Sequence, residues 1–200
     1  MPSPLFDRTA LRIKPLSERI HDLDRNAILD LGTSTQGKGH QEIKSIAQNM
    51  VIARKQGSSI ILMLGGHVIR AGVQKFIMDL VDRGYINCLA MNGAGIIHDF
   101  EFSLIGATTE SVARYIQTGE FGLWKETARL NDFINQAYLK NPLVGMGEAI
   151  GEAIEEGEYA HKEISILAAA FRAGISVTVH VGVGYDIIHE HPNCDGAATG

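Results

Sequence analysis

The sequence predicts an α/β protein, a Rossmann-like parallel sheet with helices on both faces. Two kinds of segment carry this reading. Residues 59–64 (SIILML) and 86–91 (INCLAM) are short apolar runs with glycines close by, the pattern of strands buried on both faces. Apolar residues recur at helical spacing before, between and after them. A crossover of about twenty residues that carries a helix makes two such strands parallel neighbours joined right-handedly.

The elements follow in order. Residues 1–38 read as an irregular lead-in holding one short helix over 16–23, and 33–39 (TSTQGKG) as a flexible polar loop. A regular domain over 39–200 begins there. Ile43, Ile46, Ala47, Met50 and Val51 fall at i, i+3, i+4, i+7 and i+8, one apolar helix face that Gly57 ends. After the strand at 59–64, Gly65-Gly66-His67 turns the chain into a helix marked by Val73, Phe76, Ile77, Leu80 and Val81 and stopped by Gly84. After the strand at 86–91, Asn92-Gly93-Ala94-Gly95 leads into a helical pattern at Ile97, Phe100 and Leu104. Helices are expected over 110–117, 123–138, 146–156 and 163–173, with Thr108 or Thr109 capping the first. A third strand is expected over 175–183. The closing Gly-Ala-Ala-Thr-Gly reads as an element cut midway, so the domain is expected to be truncated at its C-terminus.

Composition narrows the function classes. A chain of 200 residues with 45% hydrophobic and 20% charged residues is of globular type and holds one sizeable domain. Its net charge of −5 argues against a nucleic-acid binder, which would carry a basic patch. Two cysteines, Cys88 and Cys194, make no disulfide framework, and the start has no apolar signal core, so a cytoplasmic location is expected. No apolar run approaches the roughly 18 residues of a membrane span.

In open parallel sheets, ligands bind beyond the carboxyl ends of the strands, where βα turns present backbone N–H groups and helix N-termini. Gly65-Gly66 and the turn from Asn92 to Gly95 both qualify. Neither completes G-x-G-x-x-G: His98 stands at the third glycine position, and no acid is clearly placed about twenty residues beyond the first turn. Plain tight-turn glycines, or an Asn-Gly hairpin, are the alternatives. His98, Asp99 and Glu101 follow within two turns: Asp99 or His98 as a polar contact or proton carrier in a cleft, or the acids as dipole partners of their helix. His67 holds the corresponding place on the first turn, and histidines on adjacent turns can share one cleft.

Other clusters read more plainly. His189, His191, Cys194 and Asp195 are competent metal ligands, but their spacing matches no recurrent closed site, and no metal is assigned. His180 reads as a sheet-face histidine. Glu148, Glu152, Glu155, Glu156 and Glu158 form a solvated helix face or, alternatively, a rim for amines. Trp124 reads as a packing anchor.

Residues 65–72 (GGHVIRAG), 86–106 (INCLAMNGAGIIHDFEFSLIG) and 189–200 (HEHPNCDGAATG) resemble, in order and spacing, motifs of the deoxyhypusine synthase family, above all its bacterial branch. The resemblance implies a Rossmann-like NAD-binding domain over 39–200 in a homotetramer with active sites between subunits. It implies transfer of an aminobutyl group from spermidine to a lysine of a protein such as translation initiation factor 5A. Related homospermidine synthases use putrescine as the acceptor, so transfer to a small amine is an alternative, and a nucleotide-binding subunit without catalysis is another. By the same resemblance Gly66, His67 and Arg70 form a first NAD-contacting turn, and Asn92, Gly93, Ala94 and Gly95 a second. His98 replaces a cofactor-contacting glutamate, and Asp99 keeps an acid. Asp195 and Gly196 match an Asp-Gly beside the nicotinamide and amine. The family's catalytic lysine falls beyond residue 200, so no residue here takes that role.

Overall fold

The computed structural model describes residues 6–33 and 40–200. The loop expected at 33–39 lies, apart from Thr33, outside them. Three parallel strands form the central sheet: β2 (Ile61–Leu64), β3 (Cys88–Asn92) and β5 (Ser176–His180), in the order β2-β3-β5. A two-residue antiparallel ribbon lies apart, pairing β1 (Leu23–Asp24) with β4 (Ala107–Thr108).

The parallel register sets Leu62, Leu89 and Val177 side by side, and Leu64, Met91 and Val179 after them. Alternation puts these six on one face, where they join the main apolar core. Helices α3 (Gln74–Asp82), α4 (Gly93–Ile105), α7 (Met146–Glu156) and α8 (Ile166–Ala173) supply the rest of that core. The α/β class and its parallel sheet are therefore as the sequence predicts, and among the described residues helical cover is complete on one face only. Ile61 and Met63, on the other face, are 58% and 77% exposed. The cause is topological: the chain steps from β2 to β3 to β5 in one direction, and right-handed crossovers in one direction leave their helices on one side. Helix α1 (Gln41–Gln56) ends at Gly57 in the left-handed region as its pattern predicts, yet buries none of its residues.

Several expected boundaries move. The helix expected at 16–23 is a single 3₁₀ turn, Leu16–Glu18, followed by β1. Leu16 seats this lead-in against Trp124 and Tyr115 in a small second core. Helix α2 (Gly66–Arg70) is a separate short piece before α3, divided from it at Gly72 (φ 76°), where a β-carbon would stand 2.0 Å from the Ala27 carbonyl. Helix α5 (Val112–Tyr115) is capped by Ser111, whose hydroxyl accepts from the Arg114 N–H, because Thr108 is in β4 and Thr109 has φ 68°. Helix α6 (Arg129–Lys140) starts later than expected: Trp124 forms an isolated parallel bridge with Lys14 of the lead-in, its indole N–H donating to Glu110 at 2.8 Å and its ring edge-on to Tyr115. Helix α7 matches its pattern, while Ser165 starts α8 after a 3₁₀ turn. Among the described residues no helix is long and apolar enough to cross a membrane.

Candidate functional site

The site is built where β3 runs into α4. Asn92 caps that helix: its side-chain oxygen accepts from the Gly95 N–H at 3.0 Å. The same oxygen accepts from the Gly66 N–H at 3.2 Å, on the turn after β2. One carboxamide thus ties both glycine turns together at the carboxyl edge of the sheet, and two N–H donors on one atom fix which atom is the oxygen. A helix following in the parallel topology excludes the Asn-Gly hairpin. The glycines answer to close approach, since a β-carbon on Gly66 would lie 2.9 Å from the His98 ring, and one on Gly93 would lie 2.0 Å from an Asp186 carboxylate oxygen.

Beside these turns lies a cleft of about 490 Å³, lined by Arg70, Ala94, His98, Glu110, Tyr185 and Asp186 among others. That volume lies within the range of small-molecule and cofactor sites. Arg70 lines the cleft, and among the described residues its buried Nε has no hydrogen-bond partner. Its guanidinium reaches the exposed His67 ring at 3.5 Å. Burial raises the Asp186 carboxyl above its ordinary value, with His189 opposing.

A buried chain of polar groups backs the cleft. Arg19, from the lead-in, forms a bidentate pair with Glu101 at 2.8 and 2.7 Å, both side chains being nearly inaccessible. Glu101 also accepts from Thr127 at 2.7 Å and Thr108 at 2.6 Å, and Thr108 Oγ1 lies 2.8 Å from His98 Nδ1. Burial alone would raise the Glu101 pKa, but the guanidinium and the two hydroxyls bring it below the usual value. Burial lowers His98 to about 4; Glu101 opposes this, while Arg70 and Arg19 add to it. The ring is neutral at pH 7.

Comparison with known proteins gives the fold its name. A family model described as "Arginine dihydrolase ArgZ-like, C-terminal, Rossmann fold" matches residues 44–130, which hold both glycine turns, His98 and Thr108. Over 131 residues the chain is 30% identical to a protein of Archaeoglobus fulgidus named probable deoxyhypusine synthase 1, covering 64% of this chain and 38% of that protein. Its fold is similar to that of apo ArgZ, an arginine dihydrolase from cyanobacteria (TM-score 0.50, 18% identity, 80% of this chain and 21% of that one). It is also similar to unliganded AgrE (TM-score 0.52, 17% identity, 80% of this chain and 21% of that one). The fold is Rossmann-like. The chain spans well under half the length of the Archaeoglobus protein and about a fifth of the two solved chains. The expected likeness to deoxyhypusine synthases is met in part by the Archaeoglobus protein, whereas the family model is of ArgZ-like proteins; the two solved structures speak for the fold alone.

The structure gathers Gly66, Arg70, Asn92, Gly93, Ala94, Gly95 and His98 around one region, with His67 at its edge. Asp99 departs from its expected place. It is fully buried on the other side of α4, accepting from the Ser165 hydroxyl (2.5 Å) and the Ile166 and Leu167 N–H groups (2.8 and 3.1 Å), so it anchors the start of α8. Residues 98 and 99 project about 100° apart on a helix, so only one can face the cleft. Asp195 and Gly196 also lie away from the cleft: Asp195 caps the short α9 (Gly196–Thr199) by accepting from the Ala197 N–H at 2.8 Å. His189 Nδ1 accepts from the Gly184 and Asp186 N–H groups, and His191 Nε2 bonds the Gly122 carbonyl, so this segment shapes a turn. Among the described residues no group of three or more His, Cys, Asp or Glu side chains converges as a metal site.

Sequence reasoning missed Arg19, Thr108 and Asp186. Asp186 is an acid beside the Gly93 turn, but α4 to α8 separate the two in sequence, so a search about twenty residues beyond the first turn could not find it. Its only sequence signal is its place shortly after the third strand.

Proposed function

We propose that the cleft binds NAD and that the chain is the nucleotide-binding part of an NAD-dependent enzyme acting on a cationic amine. The observation that carries the proposal is the pair of glycine turns tied by Asn92, opening beside the unpartnered Nε of Arg70. The residues present fit the cofactor. Arg70 and the N-terminus of α4 would hold its phosphates, since both offer donors to an anion. Asp186, beyond the strand next to β3, would accept from ribose hydroxyls, the place of the ribose acid in doubly wound folds. When bound, NAD would supply a hydride acceptor; the chain's own residues orient it and line the space beside it.

Within this proposal, the likeness to the Archaeoglobus protein supports a polyamine as substrate. The reaction would then be aminobutyl transfer from spermidine to a protein lysine or to putrescine, in a homotetramer. The family-model match over 44–130 favours a second substrate class, a basic amino acid such as arginine or a product of it. Titration with NAD and NADP tests the binding. NAD is expected to bind more tightly, because the Asp186 carboxylate would face the extra phosphate of NADP, and Asp186→Ser is expected to narrow the difference. Equal affinities in the unaltered protein would contradict the assigned role of Asp186. Mass spectrometry of products from NAD with spermidine and, separately, with arginine or ornithine decides between the substrate classes.

A further inference from the structure

The polar chain behind the cleft fixes more than position. Glu101 receives both Arg19 nitrogens and the Thr108 and Thr127 hydroxyls, four donors on one carboxylate, and has no proton to return. The single proton of Thr108 is therefore committed to Glu101 at 2.6 Å. Its oxygen can face His98 Nδ1, 2.8 Å away, only as an acceptor, so the proton of a neutral imidazole must be on Nδ1. Nε2 is then bare, and among the described residues it has no hydrogen-bond partner. The charged and titratable groups acting on the ring are Glu101, Arg70, Arg19 and His67; the two guanidinium groups disfavour a second proton.

From this geometry we infer that Thr108, held by the Arg19–Glu101 pair, is a positioning residue. It locks His98 in the Nδ1–H tautomer and leaves the Nε2 lone pair facing the cleft as an acceptor for a hydroxyl or amino group of the ligand. The lead-in around Arg19 thereby becomes part of the site, although its ion pair lies behind the ring. The proton on Nδ1 stands on the hydrogen bonds, and the bare Nε2 follows because the buried ring is neutral. The ligand half rests on the cleft being a ligand site, so the two are read separately.

Long-range proton–nitrogen NMR of the histidine rings at pH 7, on the ligand-free protein, tests the first half. His98 is expected to show a protonated Nδ1 and a bare Nε2. Thr108→Val should shift the ring towards the other tautomer, and Thr108→Ser should restore the original spectrum. An Nε2–H tautomer or an imidazolium in the unaltered protein would overturn the inference, as would a Thr108→Val spectrum with the tautomer unchanged. Should the valine variant fail to fold, the spectra of the unaltered protein and the serine variant still decide. For the second half, NAD and spermidine are added in separate arms. A shift of the Nε2 resonance with NAD assigns a sugar or carboxamide donor, and one with spermidine an ammonium donor. No shift with either would overturn the acceptor role.

Discussion

Asp186 stands in the space that a side chain on Gly93 would need: an ideal β-carbon there would lie 2.0 Å from one carboxylate oxygen and 2.4 Å from the carboxyl carbon. Residues 93 positions apart in sequence thus pack directly against each other, with Asp186 lining the cleft. Gly93→Ala must displace Asp186 and is expected to cost about 1–3 kcal/mol, the usual range for overpacking. In an Asp186→Ala background the same substitution should cost much less. A double-mutant cycle by urea denaturation measures the coupling, and additive costs would show that the two residues do not press on each other.

Asn92 serves two turns with one oxygen. Asn92→Ala leaves the Gly66 and Gly95 N–H groups without this acceptor and is expected to destabilise by about 1–2 kcal/mol, as loss of a helix cap does. Asn92→Asp keeps the acceptor and should retain most of the stability. Equal losses in the two variants would mean that the brace is not what Asn92 contributes.

Neighbours on α4 should pull stability in opposite directions with pH. His98 is lowered from 6.5 to about 4, so the unfolded chain binds more protons in that window. Its contribution is complete above about pH 6.5 and is lost as pH falls towards 4. Asp99 is raised by burial from 3.8 to about 6, so the native state binds more protons there. Its contribution is greatest below 3.8 and declines as pH rises towards 6. The two slopes oppose each other across the shared range. Relative to the unaltered protein, Asp99→Asn should make stability rise more steeply from pH 4 to 6, and His98→Gln should make it fall. Denaturation midpoints at half-unit pH steps check this; parallel curves for all three proteins would contradict it.

The buried Arg19–Glu101 pair fastens the lead-in to α4. Breaking a buried pair from one side leaves an uncompensated charge, so Arg19→Met or Glu101→Gln alone should cost about 3–5 kcal/mol. Replacing both by apolar residues should cost less than the two single losses together. Chemical denaturation of the four proteins measures this, and strict additivity would contradict the pairing.

Legibility in the sequence followed the range of the interactions. The turn from Asn92 to Gly95 was readable because strand, cap and helix are contiguous, and α7 because its periodicity is local. The lead-in was not readable, since Arg19 finds its partner 82 residues on and Leu16 packs under Trp124. The composition around Trp124 is helical, but a backbone bridge to Lys14, 110 residues earlier, and the indole bond to Glu110 hold it outside the helix. Asp99 shows the other limit. Periodicity says that residues 98 and 99 share a helix, but only the packing of α8 says which of them turns inward. Ser165 ahead of an apolar run was the available hint that helix N–H groups there needed an acceptor.

The central claim is that the cleft between the glycine turns and Asp186 holds NAD, with Arg70 on its phosphates. Calorimetric titration of the protein and of Arg70→Ala with NAD tests it most directly. Saturable binding is expected, weakened about tenfold or more in the variant, in line with the loss of a charge-assisted hydrogen bond of about 1.5–3 kcal/mol. Absence of NAD binding, or equal affinity in the two proteins, would contradict it.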